Sequence, residues 1–273
     1  MGKFRNKKVL ITGGASGIGR IMGAMALEKG ASTLVIWDIN QANINDTINE
    51  LSSKGCIIGD CLDISNEEMV VAAAKRLKQT IGDIDIVINC AGIITSNKRF
   101  DQCSTTDIRR TMEINSIAPM MVALQFLPDM IARNSGHICN ISSAGGLISN
   151  PRMSIYAASK WAVIGWSDSV RIEMEQLKSK VKITTIAPYY IKTGMFDGVK
   201  SPIVPLMKPK YAARQIIRAI EKNKRVAVIT KLIPFPYHFV RFMQGIMPTK
   251  IFDWFFGEIF GIYHSMDKFT GRK

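Results

Sequence analysis

Short β-rich runs alternate with helical segments of more than ten residues over most of the chain, and no other feature constrains the fold as much. The β-rich runs lie at residues 8–12, 33–37, 56–58, 85–89, 137–141, 182–186 and 225–229. Helical spacing of apolar residues is read at 17–29, 41–54, 67–79, 106–133, 154–178 and 208–221, with Asn66 as the N-cap of the third helix. Strands joined by connections of that length cannot pair as hairpins. They need crossovers, which make the sheet parallel and lay helices on both faces. The expectation is an α/β fold, a doubly wound parallel sheet of about seven strands. One domain over 1–230 is expected, followed by a short helical extension over 231–273.

The loop after the first strand reads Thr12-Gly13-Gly14-Ala15-Ser16-Gly17-Ile18-Gly19. Glycines let a ligand approach the backbone, and the helix that follows offers unpaired N–H groups to a pyrophosphate. A tight strand-to-helix turn also uses glycine, so the turn alone is weak evidence. Asp38 strengthens it. It ends the second strand, 19 residues after Gly19, where a carboxylate accepts hydrogen bonds from ribose hydroxyls and repels a 2′-phosphate. The combination favours NAD over NADP. Arg20 is the nearby cation that would suit a 2′-phosphate, although a solvated side chain is the commoner role at that helix position.

Tyr156-Ala157-Ala158-Ser159-Lys160 places Tyr156 and Lys160 four residues apart on a predicted helix, hence on one face. Ser143 lies twelve intervening residues before Tyr156, just past the strand at 137–141. With the glycine turn, these residues make the chain resemble the short-chain dehydrogenase/reductase family over about residues 7–230. The likeness includes Leu62-Asp63-Ile64, Asn89-Cys90-Ala91-Gly92, Asn115, and Pro188 followed by Ile191 and Thr193. It implies a Rossmann-type fold and a catalytic tetrad of Asn115, Ser143, Tyr156 and Lys160. It also implies a dinucleotide site of Gly13, Ser16, Gly17, Ile18, Gly19, Asp38, Asp63, Ile64, Asn89, Ala91, Gly92, Tyr156, Lys160, Ile191 and Thr193. Asp63 would sit near the adenine and Thr193 near the nicotinamide carboxamide. A homodimer or homotetramer through the helices bearing Asn115 and Tyr156 is implied as well.

Two residues depart from the family pattern: Cys90 replaces a second Asn, and Tyr189 replaces a Gly after Pro188. Trp37-Asp38-Ile39-Asn40, the stretch 191–196 and the ending 266–273 resemble the branch of retinol dehydrogenase 10 and the 17-beta-hydroxysteroid dehydrogenases 11 and 13. Members of that branch act on lipophilic alcohols and carbonyls at membranes or lipid droplets. Their N-terminal hydrophobic anchor has no counterpart here. Neither a signal peptide nor an uninterrupted apolar run of about 18 residues is read. The expectation is a cytoplasmic protein, soluble or peripheral on a membrane.

The chemistry follows from the residue types. Free tyrosine titrates near pH 10, about three units too high for a base at neutrality. A neighbouring Lys160 ammonium would favour its phenolate. Ser143 and Tyr156 would contact the substrate oxygen, and Asn115 would support a proton path behind the lysine. The loop 194–209 is read as a lid over an apolar substrate or as a loop packed on the core. It contributes Met195 and Phe196 as substrate contacts, with Ile148, Met153 and Ile155 as further candidates. Arg152 is a candidate partner for a carboxylate.

The net charge is +14, of which residues 200–273 carry +10. Residues 232–263 hold ten of the chain's 22 aromatics, divided by Pro234, Pro236 and Pro248. Basic, aromatic-rich short helices suit in-plane contact with an anionic membrane through 231–263; a cap on the core or a sister subunit is the other reading. Nothing but charge speaks for nucleic acid. The five cysteines have no CxxC spacing and no metal site is read, so they are taken as small apolar fillers. The leading expectation is an NAD-dependent oxidoreductase for a retinol-, steroid- or long-chain-like alcohol. A 3-oxoacyl carrier-protein reductase-like enzyme and a non-catalytic dinucleotide-binding membrane scaffold are the alternatives.

Overall fold

A computed structural model of the chain describes residues 2–201, 204–230, 237–259 and 263–270. The strands are β1 (Lys8–Thr12), β2 (Thr33–Asp38), β3 (Cys56–Cys61), β4 (Ile86–Asn89), β5 (His137–Ile141), β6 (Lys182–Pro188) and β7 (Val226–Ile229). They form one sheet in the order β3-β2-β1-β4-β5-β6-β7, and every pairing is parallel. Between them run α1 (Gly17–Glu28), α2 (Gln41–Leu51), α3 (Glu67–Ile81), α4 (Thr105–Met112), α5 (Ala118–Ala132), α6 (Ser154–Gln176) and α7 (Pro209–Glu221). The central strands are apolar without alternation because both faces are covered. Ile11, Leu34, Ile36 and Ile88 pack with α1 and α7 on one side. Leu10, Val35, Val87 and Ile138 pack with α3, α5 and α6 on the other.

Helix starts follow local chemistry. Asn66 accepts a 3.0 Å hydrogen bond from the Met69 N–H at the head of α3, and Glu67 and Glu68 follow in its first turn. Ser104 and Asp107 close a capping box on α4. Two expectations change. β3 extends beyond the expected 56–58, because pairing with β2 carries it to Cys61 opposite Asp38. The expected helix 106–133 is α4 and α5 joined by a π-helical turn, Glu113–Ile117. The whole run Thr105–Ala132 is long and apolar enough, by length and mean composition, to cross a bilayer, although charged residues interrupt it. A core helix meets the same test, and Ala118, Val122, Phe126 and Met130 of this run are buried in the core.

Beyond β7, α8 (Tyr237–Ile246) and α9 (Thr249–Asp253) meet at Pro248, and α9 continues as a π-helical run, Trp254–Ile259. Met243, Met247, Phe252 and Phe255 pack on Leu147, Ile164 and Ala187. Phe242, Ile246, Ile251, Trp254 and Ile259 face outward. The extension therefore caps the core and also carries an exposed apolar face. Pro234, Phe235, Pro236 and Phe260 lie outside the described residues. Among the described cysteines Cys139 is buried, whereas Cys56 and Cys61 are exposed at the β3 edge and are not fillers.

Candidate active site

Every motif sits at the carboxyl ends of the strands, where a doubly wound sheet opens a crevice at the reversal of strand order. Here the reversal falls at β1, between β2 and β4. A cleft of about 580 Å³ opens there, lined by Gly13, Ser16, Gly17, Ile18, Gly19, Asp38, Asp63, Ile64, Ala91, Gly92 and Thr193. Gly13 has φ 65°, and a Cβ on it would lie 2.9 Å from the Ala91 Cα. A Cβ on Gly19 would collide with the Gly13 carbonyl. These glycines let the turn fold tightly under the cleft.

The Ser16 side chain makes no capping bond to α1, and the first turn of α1 has no acidic residue. That helix end is accordingly suited to an anion. The Asp38 carboxylate accepts hydrogen bonds from the Ala15 N–H at 3.1 Å and the Asn40 N–H at 3.2 Å, which hold it at the cleft edge. Asp63 is fixed by Ser65, whose N–H and hydroxyl donate to it at 2.9 and 2.6 Å. Glycine walls, an open helix end and a carboxylate ending β2 fit a nicotinamide dinucleotide. Arg20 is turned away to an ion pair with Glu50.

Four expected dinucleotide residues are not among those lining the cleft: Tyr156 lines the neighbouring pocket, Lys160 is buried on α6, and Asn89 and Ile191 are buried as well. Asn89 is the last residue of β4 and points into the sheet, donating to Asn140 Oδ1 at 2.8 Å. Ile191 is buried in the core and bridges to Met207.

The four candidate catalytic residues converge from three elements. Asn115 is buried in the π-helical turn, donating to the Ile93 carbonyl at 3.0 Å and Ser159 Oγ at 3.1 Å and accepting from the Ile93 N–H at 2.8 Å. The widened turn aims it at the loop after β4 rather than along the helix. Ser143 follows β5, and its hydroxyl oxygen accepts from the Gly145 N–H at 3.1 Å. On α6, Lys160 donates to the Ile141 carbonyl at 3.1 Å, and its Nζ lies 5.7 Å from the Tyr156 ring centre.

Burial dominates the electrostatics. It pushes the Tyr156 phenol up to about 12, opposed by a hydrogen bond with Ser143. It brings Lys160 down to about 8. The expected lowering of Tyr156 by Lys160 is therefore not what governs here, since desolvation disfavours both charged forms. Cys90 lines the same cleft, and burial raises its thiol to about 12, so it is not a nucleophile in this environment.

Beside Ser143 and Tyr156 lies a pocket of about 70 Å³, lined also by Ile148, Met153, Tyr189, Tyr190 and Phe196. Phe196 meets the Tyr156 ring edge-on at 6.3 Å and the Tyr190 ring at 5.0 Å. Tyr189, the departure after Pro188, supplies pocket wall where glycine would leave space. Met195 faces the dinucleotide cleft. Ile155 is buried but not on this wall. The loop 194–209 is thus divided: Met195 and Phe196 face the site, while Met207 packs in the core. Ile203 lies outside the described residues. Arg152 is paired with Asp267 at 3.9 Å rather than aimed into the pocket.

No site role was expected of the last segment, whose residues 266–273 entered only through the branch resemblance. Phe269 and Thr270 line the dinucleotide cleft, and Met266 is buried against Met153, Tyr156 and Val199. Its local signal is a pair of apolar residues, Met266 and Phe269, three apart in a polar tail.

A doubly wound sheet, a glycine turn on its switch point and a Ser–Tyr–Lys group beside the cleft define an oxidoreductase built around a nicotinamide dinucleotide. The family model for short chain dehydrogenases matches residues 7–203. The chain belongs to the short-chain dehydrogenase family, whose members use nicotinamide dinucleotides. It is 35% identical over 271 residues to epidermal retinol dehydrogenase 2 of Homo sapiens, covering 97% of this chain and 85% of the relative. It is 31% identical over 246 residues to estradiol 17-beta-dehydrogenase 11 of Homo sapiens, covering 89% and 79%. The solved structure of levodione reductase superposes with a TM-score of 0.76 at 22% identity, covering 84% of this chain and 97% of that one, and shares the fold.

Proposed function

We propose that this protein interconverts a lipophilic alcohol and its aldehyde or ketone, using NAD(H). The observation that carries the reading is the apolar pocket bounded by Ser143 and Tyr156 and set beside the dinucleotide cleft. When bound, the nicotinamide accepts or donates hydride. The chain's own residues handle the proton. Ser143 and Tyr156 hold the substrate oxygen, and Tyr156 takes the hydroxyl proton in oxidation and returns it in reduction. Lys160, with its ammonium between the Ile141 carbonyl and the Tyr156 ring, holds the nicotinamide ribose and favours the phenolate once the site is filled. Asn115 keeps the loop after β4 and Ser159 in place behind the lysine.

Four features support the finer reading. Asp38 at the end of β2 and Arg20 committed to Glu50 favour NAD over NADP. The apolar pocket wall and the named relatives favour a retinol-, steroid- or long-chain-like substrate. The outward Phe242, Ile246, Ile251 and Trp254, on the most basic quarter of the chain, favour a cytoplasmic protein peripheral on anionic membrane. Exposed Leu124 and Trp161 on α5 and α6 favour a homodimer or homotetramer. The test is one assay panel of NAD and NADP, each with retinol, a steroid alcohol and a long-chain alcohol. Turnover of at least one lipophilic alcohol with NAD is expected. Strict NADP use with carrier-linked 3-oxoacyl substrates would replace this reading with a reductase of the carrier-protein type.

A further inference from the structure

The pocket beside Tyr156 is small for the substrates just proposed. Pockets for drug-sized ligands run to about 300–1,000 Å³, whereas this one holds about 70 Å³. Phe196, from the loop after β6, lines it, and Met266, fully buried near the end of the chain, packs behind its Met153 and Tyr156 walls. Phe269 packs on the same cluster and also lines the dinucleotide cleft with Thr270. One short segment therefore lines the dinucleotide cleft and backs the wall of the pocket.

That segment is fastened at several points. The Ser265 carbonyl accepts from the Lys200 N–H at 3.1 Å, and the Thr270 N–H donates to the Asp197 carbonyl at 2.9 Å. A Cβ on Gly198 would collide with the Lys268 carbonyl, so the two backbones are in direct contact. The substrate loop and the terminal segment are thus one hydrogen-bonded unit. On the pocket side Ser265 is buried, within 2.9 Å of the Tyr190 hydroxyl and 3.2 Å of Asn150 Nδ2, and Asn150 also reaches Tyr190 at 2.9 Å. Across the cleft, Asn97 Nδ2 donates to the Met266 carbonyl at 3.0 Å.

We propose that residues 265–270 are a wall of the active site, in which Met266 limits the size of the substrate and Phe269 helps to retain the dinucleotide. The proposal rests on the functional reading above, since it assigns ligands to the same two cavities.

The experiment uses full-length protein and two independent readouts. Hydrogen exchange is followed at residues 265–270 with and without NADH, and NADH affinity is measured by fluorescence for wild type and Phe269→Ala. Exchange is expected to slow on NADH addition, and Phe269→Ala to weaken NADH about tenfold, roughly 1.4 kcal/mol. Met266→Ala is expected to raise kcat/KM for a bulky lipophilic alcohol relative to a short one. Unchanged exchange together with unchanged NADH affinity would overturn the proposal while leaving the dinucleotide reading intact. If Phe269→Ala does not fold, the wild-type exchange result decides alone. Wild-type protein binding neither NADH nor NADPH would overturn the functional reading and this proposal together.

Discussion

Lys160 and Tyr156 stand one turn apart on α6, with the lysine Nζ 5.7 Å from the tyrosine ring centre and anchored on the Ile141 carbonyl. The charge is held beside the phenol by the end of β5, so its placement does not depend on solvent-exposed side chains. Tyr156→Phe keeps the ring and removes the proton carrier. It is expected to lower kcat by about 10²–10⁴ while leaving NADH affinity within about twofold, less than 0.5 kcal/mol. Steady-state rates and fluorescence titration measure the two quantities. Activity close to wild type would remove Tyr156 from proton transfer.

Asp38 accepts two backbone hydrogen bonds at the cleft edge, so its carboxylate is positioned before any ligand arrives. Asp38→Ser should cut the NAD-to-NADP ratio of kcat/KM by at least about tenfold, the scale of one hydrogen bond to a charged group. A ratio that does not move would show that cofactor choice is made elsewhere in the cleft.

His137 opens β5 with its ring buried, Nε2 within 2.8 Å of Thr184 Oγ1. Burial brings its pKa down to about 3, helped by the charges of Lys3 and Lys182. The unfolded chain therefore binds a proton near pH 6.5 that the folded protein refuses. Stability is full above pH 6.5 and is lost as pH falls toward 3, on the order of 5 kcal/mol across that window. His137→Gln should flatten this acid limb in urea titrations at pH 4 and 7. An acid limb of unchanged slope would assign the loss to the carboxylates.

Phe242 and Trp254 are about 60% and 59% exposed, on helices whose other faces pack against Leu147 and Ala187. The double variant Phe242→Ser, Trp254→Ser should fold normally and lose flotation with phosphatidylserine-containing vesicles. Raising the salt should weaken the wild type, because surface charge attraction is screened beyond about 8 Å at physiological ionic strength. Equal flotation of both proteins would leave the apolar face without a membrane role.

Leu124 on α5 and Trp161 and Ile172 on α6 are exposed large side chains on neighbouring helices. Leu124→Arg should shift the protein to a smaller species in light-scattering chromatography. A monomeric wild type would end the oligomer proposal.

The parallel sheet was legible because each strand is an apolar run and each connection is too long for a hairpin. The β3 boundary was not, since Gly59 and Asp60 break its apolar run and only pairing with β2 continues it to Cys61. Ser143, Tyr156 and Lys160 were legible because fixed spacings around one strand end and one helix turn bring them together. The burial of the Asn89 and Ile191 side chains in sheet and core was not legible, because a motif gives a residue's position in the chain, not the face on which its side chain leaves the backbone.

The sequence by itself determined the order of elements and the edge of the sheet that carries the chemistry. Local periodicity and connection length suffice for both. Tertiary structure alone decided what covers that edge. Asn97 and Met266 are 169 residues apart and meet across the cleft, and Asn150 and Ser265 are 115 apart and meet under the pocket. No local pattern encodes such closures, because each depends on the summed geometry of the whole intervening chain. Burial does the same for the titrating groups: Lys160 reads as an ordinary cation in sequence, and only its enclosure between β5, α6 and the π-helical turn brings it down to about 8.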